Sequence, residues 1–156
     1  AYTKPWSVTL RQQFAADNRP GASGQLGDNV NLGSRLEGAT KEYGLDLLIS
    51  DVIKHRVAHR FECRSVDLLR VKGKNRPVEV FAVLGLAGQP TPGLDPFETG
   101  MRAYRHGDFA TARHHFEQAA AAGLADPLTQ LFITRCSALA AQPPEHWDGV
   151  YTMTKK

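Results

Sequence analysis

The chain has 156 residues, of which 42% are apolar and 22% charged; this excludes disorder and collagen-like repetition and suffices for a core without a metal or disulfide framework. The longest apolar run, Val80 to Gly88, is about half of the ~20 residues that a bilayer-spanning helix requires, and Ala1-Tyr2-Thr3-Lys4 lacks the apolar region of a signal peptide, so a soluble chain is expected, by itself or as the cytosolic end of something longer. Net charge is +3, and a cut after Pro90 leaves 13 basic and 9 acidic residues before it but 6 and 7 after it, which places the basicity in the first part.

Residues 1–26 contain Pro5, Pro20, Gly21 and Gly24 with little sustained periodicity, and read as loop with at most one short amphipathic piece near Ser7 to Ala16. From Asp28 a helix is expected to about Tyr43, with Asp28 as cap and Gly44 where a C-terminal stop belongs. Leu45 to Ile49 reads as a short strand, Ser50 as the cap of a short helix over Asp51 to Val57, and Phe61 to Val71 as strand-like. A hairpin turn rich in Lys and Gly leads to a second strand, Val78 to Leu84. Gly85, Gly88, Pro90, Pro92 and Gly93 mark a linker, 87–96, beyond which the period becomes helical. Phe97, Met101 and Tyr104 make one helical face, Asp108 caps a second helix, and Asp126-Pro127 opens a third. The expected order is an unassigned segment 1–26, an α/β (α+β) segment 27–86, the linker, and a helical tail 97–156.

Two cysteines, Cys63 and Cys136, have no metal or redox spacing and suit buried positions in a reducing compartment, hence the cytoplasm. His55 and His59 stand four apart without a third ligand, and His114-His115 look like surface residues, so no metal site is assigned. The run Lys54 to Arg76 is strongly basic, but a solvated strand face is the more ordinary reading of such a run, and without interleaved aromatics beyond Phe61 or an RNA-binding signature no nucleic-acid partner is expected. The pair with the clearest chemical potential is Asn31 and Arg35. At i and i+4 of a helix they project from one face, where an amide can orient a ligand and a planar guanidinium can donate charge-assisted hydrogen bonds to phosphate.

The stretch Gly27-Asp28-Asn29-Val30-Asn31-Leu32-Gly33-Ser34-Arg35-Leu36-Glu37 closely resembles the G-[DN]-x-V-N-x-A-[SA]-R-[LM]-[ED] segment of class III nucleotidyl cyclases, the adenylyl and guanylyl cyclase family. The resemblance continues through Leu48-Ile49-Ser50 and through Val71-Lys72-Gly73-Lys74-x-x-Pro77-Val78-x-Val80-Phe81, which is similar to the family's hairpin near its C-terminus. It implies an antiparallel-leaning sheet with helices over it, and cyclisation of a nucleoside triphosphate, ATP ahead of GTP, to the 3′,5′-cyclic monophosphate with release of pyrophosphate. It implies that Asn31 and Arg35 steady the ribose and the transition-state phosphates, and that Lys72 contacts the triphosphate. Gly33 stands where Ala is usual, a departure worth up to ~1 kcal/mol of helix propensity.

Other departures concern metal and base. Family members hold two divalent cations, Mg²⁺ or Mn²⁺, on two aspartates upstream of the Asn/Arg helix, and residues 1–26 contain neither segment. The resemblance therefore implies a homodimer or a complementing cyclase subunit that supplies them, with any membrane attachment through a region absent here, and an isolated chain that is inactive. Gly24 stands at a base-contacting position and has no side chain to read a base. In the tail, Gly100, Gly107-Asp108-Phe109, Ala112, Phe116 and Ala119 resemble one tetratricopeptide unit, although Ala103 replaces its usual Tyr with Tyr104 one place later. Pro143-Pro144-Glu145-His146-Trp147-Asp148-Gly149-Val150 resembles the end of bacterial receptor-type cyclases. Trp147 is expected to dock on the tail's apolar face. The alternative reading is a non-catalytic cyclase remnant whose tail binds a protein.

Overall fold

The computed structural model describes residues 39–45, 47–70 and 76–151. Residues 39–43 are helical, inside the helix expected to reach Tyr43. Gly44 follows with φ 65°, and the Leu45 amide donates back to the Thr40 carbonyl at 2.9 Å. This is the six-residue closure that satisfies an otherwise orphaned carbonyl at a helix end, with glycine in the left-handed position.

Strand β1 (Leu48–Ser50) leads directly into helix α1 (Asp51–Val57), whose cap is Ser50: its hydroxyl accepts from the Ile53 amide. Strands β2 (Phe61–Leu69) and β3 (Val78–Leu86) complete a three-stranded antiparallel sheet of order β1-β3-β2. Alternation of side chains sends the central strand to two cores. Val80 and Ala82 join one cluster, whereas Phe81 and partly buried Val83 join the other. On the second face α1 closes a small core of Ile49, Ile53, Val57, Phe61 and Phe81. The chain is thus α+β, with a sheet covered on both sides.

The first face carries the larger core and takes in the helical tail. Helix α2 (Leu94–Arg105) begins three residues before the expected Phe97, because Gly93 turns the chain at φ 87° and serves as its cap. A Cβ there would meet the Ala119 carbonyl oxygen at 2.5 Å, so the close approach as well as the backbone angle requires glycine. Helices α3 (Phe109–Ala121) and α4 (Pro127–Ala141) open as expected, with Asp108 accepting from the Thr111 amide and Asp126 from the Thr129 amide. Leu48, Val66, Leu69, Val80 and Ala82 of the sheet lie in one continuous cluster with Phe97, Met101, Tyr104, Phe116, Leu128 and Phe132 of the tail. Trp147 docks as expected: its ring meets Tyr104 and Phe109 edge-on at centroid distances of 5.2 and 5.0 Å, and its Nε1–H donates to the Tyr104 carbonyl at 2.9 Å. Among the described residues no helix is long and apolar enough to cross a membrane.

Candidate functional site

Asn31, Arg35 and Lys72 lie outside the described residues; the structure describes what stands beside them in the chain. For Lys72 this is the hairpin. The β2–β3 ladder runs from Phe61 opposite Leu86 to Leu69 opposite Val78. For the Asn/Arg segment it is the helical turn at 39–43, which ends at Tyr43.

Tyr43 is buried, and its hydroxyl donates to Asp67 Oδ2 at 2.6 Å. The same oxygen accepts from Arg135 Nη1 of α4 at 2.8 Å, while Asp67 Oδ1 accepts from the Leu68 amide. Both carboxylate oxygens are therefore engaged, as a buried charge requires. Arg135 also points Nη1 at the Tyr104 hydroxyl at 3.4 Å and stacks over the ring of Tyr151, 3.8 Å from its centroid. Burial pushes the phenols of Tyr43 and Tyr104 above their ordinary range, and the neighbouring Asp67 charge adds to that. For Arg135 burial, the largest influence, works against the charge, but Asp67 together with the neighbouring phenols of Tyr104 and Tyr43 prevails and keeps the guanidinium protonated. Both tyrosines therefore stay neutral beside the ion pair, Tyr43 as a donor to Asp67 and Tyr104 as an acceptor from Arg135.

A β-bulge places Asp67 in this position. Ser65 pairs with Phe81 and Asp67 with Val80, which leaves Val66 as the extra residue of β2. In a regular strand Val66 and Asp67 would point to opposite faces; here both are buried, Val66 in the core shared with the tail and Asp67 against residues of that same core. The bulge re-aims the carboxylate. Sequence reasoning passed over Tyr43, Asp67 and Arg135; the available signal was an acidic residue within a basic, strand-like run.

The basic run is not simply a solvated face. Arg64 is buried, pairs with Asp126 at the cap of α4, and stacks over Phe97 at 4.8 Å; its Nε and Nη1 have no hydrogen-bond partner among the described residues. Arg70 pairs with Asp148 on the surface. In the reverse direction, Arg105 of α2 bonds Glu79 at 2.8 Å and Ser65 at 2.6 Å. Burial, the largest influence, opposes ionisation of Asp126 and Glu79, but the hydrogen bonds and charge of Arg64 with the Thr129 bonds, and of Arg105 with the Ser65 bond and the Lys54 charge, together prevail and bring both carboxyls below their ordinary range. The charge imbalance between the halves of the sequence thus accompanies contacts between sheet and tail. Cys136 is buried and Cys63 partly so, both free, and burial raises their thiols to about 12 and about 11. Neither is poised as a nucleophile. His55 and His59 are exposed, and no group of three His, Cys, Asp or Glu among the described residues could hold a metal ion.

An α+β chain whose helical tail is bonded into the face of an antiparallel sheet matches no protein-family model, and no solved structure matches it significantly. Curated proteins similar to it are adenylate cyclases. The chain is 36% identical over 61 residues to the adenylate cyclase of Anabaena cylindrica, covering 37% of this chain and 12% of that protein. It is 31% identical over 61 residues to adenylate cyclase 1 of Rhizobium meliloti, covering 39% and 9%. With the terminal-differentiation specific adenylate cyclase of Dictyostelium discoideum the identity is 29% over 119 residues, covering 71% of this chain and 6% of that protein. The chain is thus similar over part of its length to adenylate cyclases, and it spans at most 12% of the length of these relatives.

Proposed function

We propose that this chain contributes one half of a class III adenylate cyclase active site, its own residues stabilising the transition state of ATP cyclisation. The observation that carries the reading is the spacing of Asn31 and Arg35 within Gly27 to Glu37, followed in order by the Lys72 hairpin; similarity to three adenylate cyclases supports it. In the reaction the ribose 3′-oxygen loses its proton and bonds to the α-phosphorus, and the bond from that phosphorus to pyrophosphate breaks. Arg35 donates to the oxygens on which charge develops, where a preorganised donor is worth most. Asn31 orients the ribose by its amide, and Lys72 supplies positive charge to the phosphates. Guanylate cyclisation is the neighbouring chemistry, with Gly24 offering no contact to a base.

The family's Mg²⁺ or Mn²⁺ would be held elsewhere. Of the described carboxylates, Asp67, Glu79, Asp126 and Asp148 each accept from an arginine, a donor set that does not suit a divalent-cation cage. The cations are therefore assigned to aspartates of a partner subunit, a second copy of a longer chain or a complementing cyclase, in the cytoplasm. The tail's apolar side is occupied by the sheet and Trp147, which favours a cyclase element over a free protein-binding module.

The test is complementation. The 156-residue chain is mixed with a cyclase subunit that keeps its metal aspartates but lacks its own Asn/Arg pair, and cyclic nucleotide and pyrophosphate are measured. Product is expected, with a loss of about 10²–10³ in rate for Arg35→Ala. Lys72→Ala should chiefly raise KM, since a flexible lysine serves ground state and transition state alike. Association without product, or activity that survives Arg35→Ala, rules the reading out.

A further inference from the structure

The last described residues, 147–151, pack as a bound peptide packs. They follow α4 through a largely exposed connector, 142–146, and belong to no helix or strand. Trp147 Nε1 donates to the Tyr104 carbonyl at 2.9 Å, and a Cβ on Gly107 would lie 3.2 Å from Trp147 Cδ1. Asp148 accepts from Arg70, just beyond β2, through one oxygen and from the Val150 amide through the other. Gly149 has φ 86°, and a Cβ on it would lie 3.4 Å from the Arg105 carbonyl oxygen. Val150 is buried, and the Tyr151 ring covers the Arg135 guanidinium at 3.8 Å. The receiving face is therefore built from the end of α2, the Gly107 turn, the end of β2 and Arg135 of α4.

We infer that this face is a docking site for a segment of a partner protein that presents an indole, a carboxylate and a glycine in succession, and that the chain's own Trp147 to Tyr151 holds it closed. Each position carries its own requirement. The Tyr104 carbonyl needs an N–H donor, which an indole has and a phenyl ring lacks. The exposed Arg70 guanidinium selects a carboxylate. The left-handed turn and the close Arg105 carbonyl select glycine, and an aromatic ring two places further on stacks on Arg135. Tryptophan, tyrosine and arginine are the residues that dominate binding energy at protein interfaces, and here they meet outside any regular element. Because the connector makes this docking intramolecular, the strap meets its site at an effective concentration in the mM range. A second copy therefore has no free strap to offer, and the competing segment belongs to another protein. Displacing the strap also lifts Tyr151 from Arg135, the guanidinium that pairs with Asp67.

The probe is a fluorescein-labelled peptide of residues 143–151, titrated into the full chain and read by anisotropy. Trp147→Ala in the full chain vacates the site, and this variant should bind the peptide at least about tenfold more tightly than the parent, whose strap competes in cis. A second receptor is the parent chain with a protease site inserted between Gln142 and Pro143 and cut after folding; it should release its segment on dilution and bind the peptide likewise. Trp147→Phe in the peptide should weaken binding about fivefold, the worth of one hydrogen bond. Arg70→Ala in the receptor should weaken it about two- to fivefold, as for an exposed ion pair. The inference is overturned if the peptide binds neither receptor, if it binds the parent equally well, or if Trp147→Ala in the peptide leaves its affinity unchanged. A cut chain that keeps its segment until it unfolds overturns it too, since the strap is then part of the core. A parent chain whose sedimentation coefficient rises with concentration, and does not rise in Trp147→Ala, makes a second copy the occupant and overturns the assignment to a partner protein.

Discussion

Gly100 sits on α2 against the ring of Phe116, where a Cβ would lie 3.0 Å from two ring carbons and 3.2 Å from the Ala112 carbonyl oxygen. That ring is held in turn by Phe97 and Phe132, at centroid distances of 5.3 Å each, and is fully buried. It has nowhere to move. Gly100→Ala adds helix propensity worth about 0.5–1 kcal/mol and overpacks the contact between α2 and α3 at a cost of about 1–3 kcal/mol. The expected net loss is about 1 kcal/mol, read as a lower urea midpoint with an unchanged slope; a raised midpoint would mean that Phe116 yields. This residue was legible in sequence, where Gly100 and Phe116 stood in a small/aromatic spacing. Asp67 was not, because its burial depends on a bulge created by pairing with β3 and on an arginine far away in the chain.

Among the elements, the caps were readable and the pairings were not. Ser50, Asp108 and Asp126 cap the helices they precede, as expected, since capping is decided within four residues. The ion pairs that join sheet and tail connect residues from 26 to 78 positions apart, beyond the reach of local pattern. Their acid sensitivity can be stated with its sign. The carboxyls of Asp126 and Glu79 titrate lower in the folded chain than their ordinary values, so they stabilise the fold above the unfolded values, about 3.9 and 4.3, and that contribution disappears as pH falls through the lower folded values. The thermal midpoint should therefore be level from neutrality to about pH 5 and drop below about pH 4. Asp126→Asn keeps the capping oxygen and removes the charge. It should be less stable than the parent at pH 7 and converge with it in acid; a constant gap at every pH would show that the charge is not responsible.

For the whole molecule, the expected division into a cyclase segment and a tail separates two stretches of sequence that share one core. The composition change at Gly85 to Gly93 signals a turn in the chain, and at that turn α2 folds back over the sheet. Ending the chain at Pro90 would uncover Leu48, Val66, Leu69, Val80 and Ala82 on that face. At about 1.5–3 kcal/mol for each large apolar side chain returned to water, the loss approaches the whole stability of a domain, about 5–15 kcal/mol. It would also remove the polar contacts that join sheet to tail, since Asp67 would lose Arg135 and Arg64 would lose Asp126. A chain of residues 1–90 should accordingly lack a cooperative thermal transition, bind a dye specific for exposed apolar surface, and associate through its uncovered sheet. The full chain, measured in parallel, should unfold in a single transition. If residues 1–90 melt cooperatively within a few degrees of the full chain, the sheet does not depend on the tail, and α2 to α4 form an independent unit.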